Sequence, residues 1–325
     1  MMGCWRWLPC VFGACLLGCD SSVPSVDESA RQAQALETGE LLYCGRLPIR
    51  IVVQDDLLLL QERGLQRQLL PVVSASGARF EAEGDASTWF WSKGQQGQLA
   101  LSGEELPLCL PAGAVAEPFV ASGNEPFWSI ELAGAELTLS RLDDPQSRSM
   151  PYRFETGENR LLRVVTDANV TLELREQVCH DSMTGMPRPQ QVTLLLDGQR
   201  LQGCGGDPQR LLQGVLWQVV AIDGEPPLPS SRVNLRFFSD GRLAGRASCN
   251  NLIGRYTLDA EGLAIGSPAT TMRGCELPVM AQERRVLELL EGVQTLAFDG
   301  QDNLLLQGSA GTLRARPFSA AAAED

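Results

Sequence analysis

The chain is written in short apolar-rich runs separated by Gly, Asp or charged turns. Over residues 40–110 the runs are Ile49–Val53, Leu57–Leu60, Leu69–Val73, Thr88–Trp91 and Gln98–Leu101. Several β-forming runs at this spacing predict a small antiparallel barrel. Residues 119–207 repeat the pattern with Trp128–Leu132, Glu136–Leu139, Leu161–Val165, Val170–Arg175 and Gln191–Leu196. Residues 211–318 do so again with Gln218–Ile222, Val233–Phe238, Arg255–Leu258 and Leu304–Gln307. One stretch departs from the pattern. From Pro278, a suitable first-turn residue, Val279, Val286, Leu290 and Val293 recur at helical spacing with Met280 and Leu287 alongside, and Gly292 marks a stop. The fold expected is mainly β: a small antiparallel barrel followed by two further β-rich domains, the last with one α-helix. Pro111–Pro118 reads as a linker. Residues 19–39, rich in Ser, Glu, Ala and Gln, read as a tether with a short exposed helix, and residues 319–325 as a disordered tail.

The first residues carry a different signal. Arg6 supplies a positive start and Leu8–Leu17 is apolar, which marks residues 1–18 as a signal peptide; the run is too short to span a bilayer. Leu16-Leu17-Gly18-Cys19 resembles the bacterial lipobox. That resemblance implies cleavage before Cys19 and lipidation of its thiol, with acyl chains as the membrane anchor. It places the protein in the bacterial cell envelope facing the periplasm. The outer membrane is the expected site of the anchor, although Asp20 signals inner-membrane retention in some bacteria, which keeps the inner membrane as the alternative.

Removal of the signal peptide takes Cys4, Cys10 and Cys15 with it. Besides Cys19, Cys44, Cys109, Cys179, Cys204, Cys249 and Cys275 remain. Six cysteines allow many pairings. These fall two by two into the three β-rich segments, so the economical arrangement in an oxidising compartment is one disulfide per segment. Zinc is the rival reading, but no C-x-x-C spacing occurs and His180 is the only histidine, so neither a metal nor a cofactor is expected.

The formal net charge of -13 argues against nucleic acid as a partner, because phosphate contacts need clustered Lys and Arg. It would steer a basic partner toward the chain, or simply keep an exported protein soluble. Of the 27 basic side chains all but one are arginine; Lys93 is the only lysine. Lysine carries a compact charge on a slim stem, arginine a broad planar fork. A site that admits only the slim ammonium would keep its lysine against a drift to arginine.

Lys93 lies in Phe90-Trp91-Ser92-Lys93-Gly94, downstream of Ser74-Ala75-Ser76-Gly77-Ala78-Arg79-Phe80. Each segment reads as a strand joined to a turn, and Gly77 and Gly94 permit positive φ. By itself the pattern is satisfied by a turn-capping serine and a solvated lysine. The segment Cys44–Cys109, however, resembles the membrane-bound inhibitors of c-type lysozyme, with their S-x-S-G-A-x-Y and F-W-x-K-G motifs between two cysteines on an eight-stranded barrel. Phe80 replaces the usual Tyr, and Gln95-Gln96-Gly97 replaces the acidic-Ala pair that often follows K-G. The resemblance implies c-type lysozyme as the partner, with Ser76 and Lys93 at the inhibitory positions and Ser74 as a weaker candidate.

The middle segment carries Ser122-Gly123-Asn124-Glu125-Pro126-Phe127-Trp128, Cys179-His180-Asp181-Ser182-Met183 and Gly203-Cys204-Gly205. It resembles an envelope-lipoprotein domain with an N-E-P-F-W start, which implies no particular chemistry. His180 beside Asp181 suggests a general base, against a plain polar turn next to a disulfide. The last segment carries Gly245 to Asn251 with Cys249-Asn250, Gly254-Arg255-Tyr256, Thr271-Met272-Arg273-Gly274-Cys275 and Glu283. It resembles the META domain of the HslJ heat-shock family, linked to envelope stress. Asn250 and Arg273 are candidate binding residues there, against turn and sheet-edge roles.

The function that follows is a lysozyme inhibitor rather than an enzyme. The alternative is an envelope-stress structural or binding lipoprotein acting through its META-like domain. A hydrolase is disfavoured: His180 is alone, no G-x-S-x-G occurs, and no motif pairs the carboxylates.

Overall fold

Apolar residues at every second position fold into strands that bury one face. The computed structural model describes residues 26–157, 161–260 and 262–318. The residues expected to form a signal peptide, the lipidation candidate Cys19 and the expected tail 319–325 lie outside the described residues. The first sheet contains β1 (Glu40–Cys44), β2 (Leu47–Gln54), β3 (Leu57–Glu62), β4 (Leu65–Val72) and β5 (Ala78–Ala82). It continues with β6 (Asp85–Lys93), β7 (Gln96–Leu101), β8 (Glu104–Glu105) and β9 (Cys109–Pro111). Its order is β6-β5-β4-β3-β2-β1-β9-β7-β8, and a β6–β7 pairing closes the ring. Ile49, Ile51, Leu58, Leu60, Leu69, Phe80, Phe90 and Leu99 fill its interior. Each such side chain contributes roughly 1.5–3 kcal/mol by leaving water. In β6, Thr88 and Phe90 point inward while Trp89 and Trp91 stay half-buried on the outside.

Cys44 and Cys109 are register partners on β1 and β9 and are bonded to each other. The first strand is thereby stapled to the last. A loop of this length is worth about 4 kcal/mol in the chain-entropy picture.

Because β1 to β7 pair with their sequence neighbours antiparallel, successive turns alternate between the two ends of the barrel. The turns after β1, β3, β5 and β7 crowd one end. Those after β2, β4 and β6 form the other. Residues 73–77 and 94–95 therefore share an end.

The middle segment closes into its own eight-stranded barrel. It runs β10 (Phe119–Asn124), β11 (Phe127–Ala133), β12 (Glu136–Arg141), β13 (Asp144–Thr156), β14 (Leu162–Thr166), β15 (Val170–His180), β16 (Pro187–Leu196) and β17 (Gln199–Gly205). Trp128 is fully buried in it. Any Cβ at Gly123 or Gly203 would lie 2.4 or 2.6 Å from the Trp128 indole, so both positions must lack one. The Pro/Ala-rich stretch expected as a linker is only partly that. Pro111 ends β9, and Val115 packs into the core of the middle barrel, because an apolar side chain beside an open core is better buried.

The third sheet is built from β18 (Trp217–Ile222), β19 (Asn234–Phe237), β20 (Arg242–Arg246), β21 (Asn251–Asp259), β22 (Gly262–Ile265), β23 (Ala269–Thr270), β24 (Val293–Phe298), β25 (Leu304–Gly308) and β26 (Gly311–Pro317). Its order is β22-β21-β20-β19-β18-β26-β25-β24, with β23 on β21. Of the two helices, α1 (Val26–Glu37) precedes the first barrel and α2 (Leu277–Glu291) packs on the third sheet. α2 buries Val279, Val286, Leu289 and Leu290 and stops at Gly292, whose N–H reaches the Glu288 carbonyl. α1 is not wholly exposed as expected. Leu36, the large apolar residue of its last turn, is buried and anchors it.

The first barrel docks on the third unit through one end. The Arg46 guanidinium sits 2.9 Å from Asp302 and over the rings of Trp217 and Phe298. Arg63 donates to the Gly214 carbonyl at 3.0 Å, and Ser239 donates to that of Glu105 at 2.7 Å. Arg210 donates to the carbonyls of Leu108 and Tyr43 at 2.8 and 3.3 Å. Arg236 pairs with Glu104 at 2.8 Å. Arg46 and Arg63 belong to the turns after β1 and β3, and Glu104 and Glu105 form β8, which follows the turn after β7 at the same end. The end bearing residues 73–77 and 94–95 is the opposite one.

Candidate functional site

The loop after β4 and the turn after β6 are built differently. β6 and β7 turn over two residues: Lys93 pairs with Gln96, and Gly94 takes φ 62° at the first central position. Positive φ there is the signature of a type II′ hairpin turn, which glycine adopts without strain. Lys93 is exposed at its mouth. Among the described residues no carboxylate lies within ion-pair distance of its ammonium. By strand alternation it points outward, on the side of Trp89 and Trp91.

The loop 73–77 has no regular ladder, and side chains hold it instead. The Ser76 carbonyl accepts two hydrogen bonds, from Ser74 Oγ at 2.8 Å and from Trp91 Nε1 at 2.8 Å. Gly77 sits at φ 68°, and a Cβ there would lie 2.3 Å from the Ser92 carbonyl oxygen. The loop thus lies directly on β6, fixed by the register Ala78↔Ser92 and Arg79↔Trp91. Ser76 is exposed, Ser74 half-buried, and Val73 fully exposed beside them. The fold brings Ser74, Ser76 and Lys93 to one end of one barrel. Trp91 and Val73 were not singled out from the sequence. The signal available for Trp91 was its place two residues before Lys93 on the same face of a strand.

The other residues named from the sequence are bonded within the fold or stand exposed. Cys179–Cys204 and Cys249–Cys275 are bonded, one pair in each remaining segment. His180 is exposed at the end of β15. Asp181 accepts from the N–H groups of Met183 and Thr184, the Thr184 hydroxyl and the Asn124 amide. Partial burial opposes ionisation, but these donors outweigh it and hold the carboxyl below its usual range. Asp181 is therefore spent on a turn.

In the third unit Asn250 and Glu283 are buried and form a clamp. Glu283 accepts from the Cys249 N–H at 3.0 Å, the Asn250 N–H at 2.6 Å and the Asn250 amide at 2.8 Å. Asn250 Oδ1 accepts from the Thr271 hydroxyl at 2.8 Å and the Arg273 N–H at 2.7 Å. Asn250 has the turn role. The Arg273 side chain is exposed.

Comparisons with known proteins agree with the order of segments. Residues 44–106 match the family described as membrane-bound lysozyme-inhibitor of c-type lysozyme. Residues 210–318 match the META domain. No curated protein matches the chain. Among solved structures, an NMR structure of a protein from Burkholderia xenovorans is 23% identical, covers 34% of this chain and 86% of its own, and superposes with a TM-score of 0.30.

Proposed function

We propose that the chain is a lipid-anchored envelope protein that inhibits c-type lysozyme, with Lys93 and Ser76 entering the active-site cleft of the enzyme. The observation that carries this reading is the placement of the only lysine. It stands exposed beside a braced Ser-Gly loop, on the barrel end opposite the docked third unit, within the residues matched to the inhibitor family.

Lysozyme cleaves with two carboxyl groups, an acid whose pKa is raised and an ionised partner. An ammonium placed between them donates charge-assisted hydrogen bonds and favours the ionised form of the acid, which then has no proton to give. The Ser76 hydroxyl adds a neutral donor or acceptor at the same cleft. A slim ammonium fits between two facing carboxylates where a guanidinium fork crowds them. The negative charge of the chain steers a basic enzyme toward it.

The test is the inhibition constant of the purified full chain against a c-type lysozyme. Lys93→Ala should weaken inhibition by about 3 kcal/mol, the scale of losing one member of a desolvated charge pair. Lys93→Arg should fail in large part, and Ser76→Ala should cost about 1–2 kcal/mol. Inhibition by Lys93→Ala equal to wild type sinks the mechanism. A wild-type chain without inhibition sinks the function, and leaves the envelope-stress reading of the META unit.

A further inference from the structure

The two inhibitory side chains come from different turns, so their separation has to be held by something. Strand pairing holds Lys93, through its partner Gln96 across the hairpin. It does not hold Ser76, because residues 73–77 lie between strands. What fixes Ser76 is its own carbonyl, which takes the Trp91 indole N–H and the Ser74 hydroxyl at 2.8 Å each. Trp91 is itself a strand residue two positions before Lys93, on the same outer face. The indole therefore ties the serine loop to the strand that carries the lysine.

Gly77 completes the fit. Its missing side chain lets the loop backbone close onto the Ser92 carbonyl and the edge of the Trp91 ring. The neighbouring Trp89 is held in another way, under the Arg79 guanidinium at 4.3 Å from the ring centre. Among the described residues its indole N–H forms no hydrogen bond.

We infer that Trp91 is a positioning residue that sets the distance between Ser76 and Lys93 before the enzyme is met, and that Ser74 serves the same carbonyl rather than the enzyme. This rests on the inhibitor reading for its consequence and on the geometry of the free chain for its cause. Pre-set geometry raises affinity because ordering the loop no longer has to be done on binding.

Two measurements on the full chain test it. The first needs no lysozyme. The Trp91 Nε1–H should exchange with solvent more slowly than that of Trp89, and Gly77→Ala should abolish the difference. Equal exchange in the wild type overturns the brace whatever the chain inhibits.

The second is a cycle of Trp91→Phe, Ser76→Ala and the double variant, read as inhibition constants. Trp91→Phe keeps an aromatic ring and removes the N–H, and should weaken inhibition roughly fivefold, the loss of one neutral hydrogen bond. In the Ser76→Ala background the same change should cost little, because there is no longer a hydroxyl to place. Ser74→Ala should behave as Trp91→Phe does. Independent, additive losses would make Trp91 a direct contact and overturn its positioning role. A wild-type chain with protected Trp91 and no inhibition would leave the brace standing and remove the inhibitor reading.

Discussion

Gly77→Ala asks the most of the loop architecture. At φ 68° an L-residue pays roughly 1–2 kcal/mol for left-handed backbone. The new Cβ would also sit 2.3 Å from the Ser92 carbonyl oxygen and 3.0 Å from Trp91 Nε1. Neither neighbour gives way easily. Ser92 is in the ladder, paired with Ala78 on one side and Gly97 on the other. The loop must therefore lift until the approach to Ser92 becomes an ordinary contact, which stretches the Trp91–Ser76 bond and forfeits about 1 kcal/mol more. The sum is about 2–3 kcal/mol, confined to one end of one barrel.

The effect on inhibition follows from what moves. Ser76 is displaced; Lys93 is not, because its hairpin is untouched. Gly77→Ala should weaken inhibition by about tenfold, near the loss given by Ser76→Ala, and should stay well short of Lys93→Ala. Gly94→Ala is the contrast. Its φ is 62°, but a Cβ there meets nothing within 4 Å, so it isolates backbone strain from collision. Thermal unfolding and inhibition constants for both variants decide the matter. If Gly77→Ala inhibits and melts like the wild type, the loop does not lie on β6 as described, and the reasoning about Ser76 fails with it.

Two further outcomes are expected. Glu283→Ala should destabilise the third unit by about 3 kcal/mol, because it leaves buried N–H donors of Cys249 and Asn250 without an acceptor; urea unfolding measures it, and a change under about 1 kcal/mol would show that the clamp carries no load. Cys19→Ser should abolish acyl labelling and release the protein from membranes, and persistent labelling of that variant would refute lipidation at this position.

Much of the fold is legible in the sequence because most strands are half-buried and alternate. β2 and β11 show it plainly, and α2 carries its start, its apolar face and its stop in local sequence. β13 does not. Gln146, Ser147, Arg148 and Ser149 offer no apolar alternation, and the strand is held across to β12 by polar pairs such as Ser140 with Ser147 and Ser149 with Glu136. β17 is hidden for another reason. Its glycines read as turn residues, yet Gly203 is small because the Trp128 ring lies against it. A local window cannot distinguish a glycine that turns the chain from one that makes room. The candidate site divides in the same way. Ser76 and Lys93 are visible as motif positions, whereas the Trp91–Ser76 bond depends on the register of β5 on β6, which the local pattern does not fix.

That register, and the parity of the turns, also explain how a barrel can serve a partner while carrying two more units. In a ring of antiparallel neighbours each turn changes ends. A unit docked on Arg46, Arg63 and Glu104 therefore occupies the ends of β1, β3 and β7 and cannot reach the turns after β2, β4 and β6. The opposite end holds the Ser74–Gly77 loop and the Lys93 hairpin, and α1 enters β1 there, packed on β2 and β3. It also holds the exposed turn residues Asp55 and Asp56. One ammonium thus stands on the same end as two carboxylates, on a chain of net charge -13. For a basic enzyme with an acidic cleft the two signs have separate uses. On the inhibitor reading the carboxylates would attract the rim at long range, and the ammonium would be attracted only where the enzyme itself is negative. An arginine-rich, lysine-poor surface sharpens that division, because the single slim cation is the only one of its kind that the chain offers to a narrow cleft.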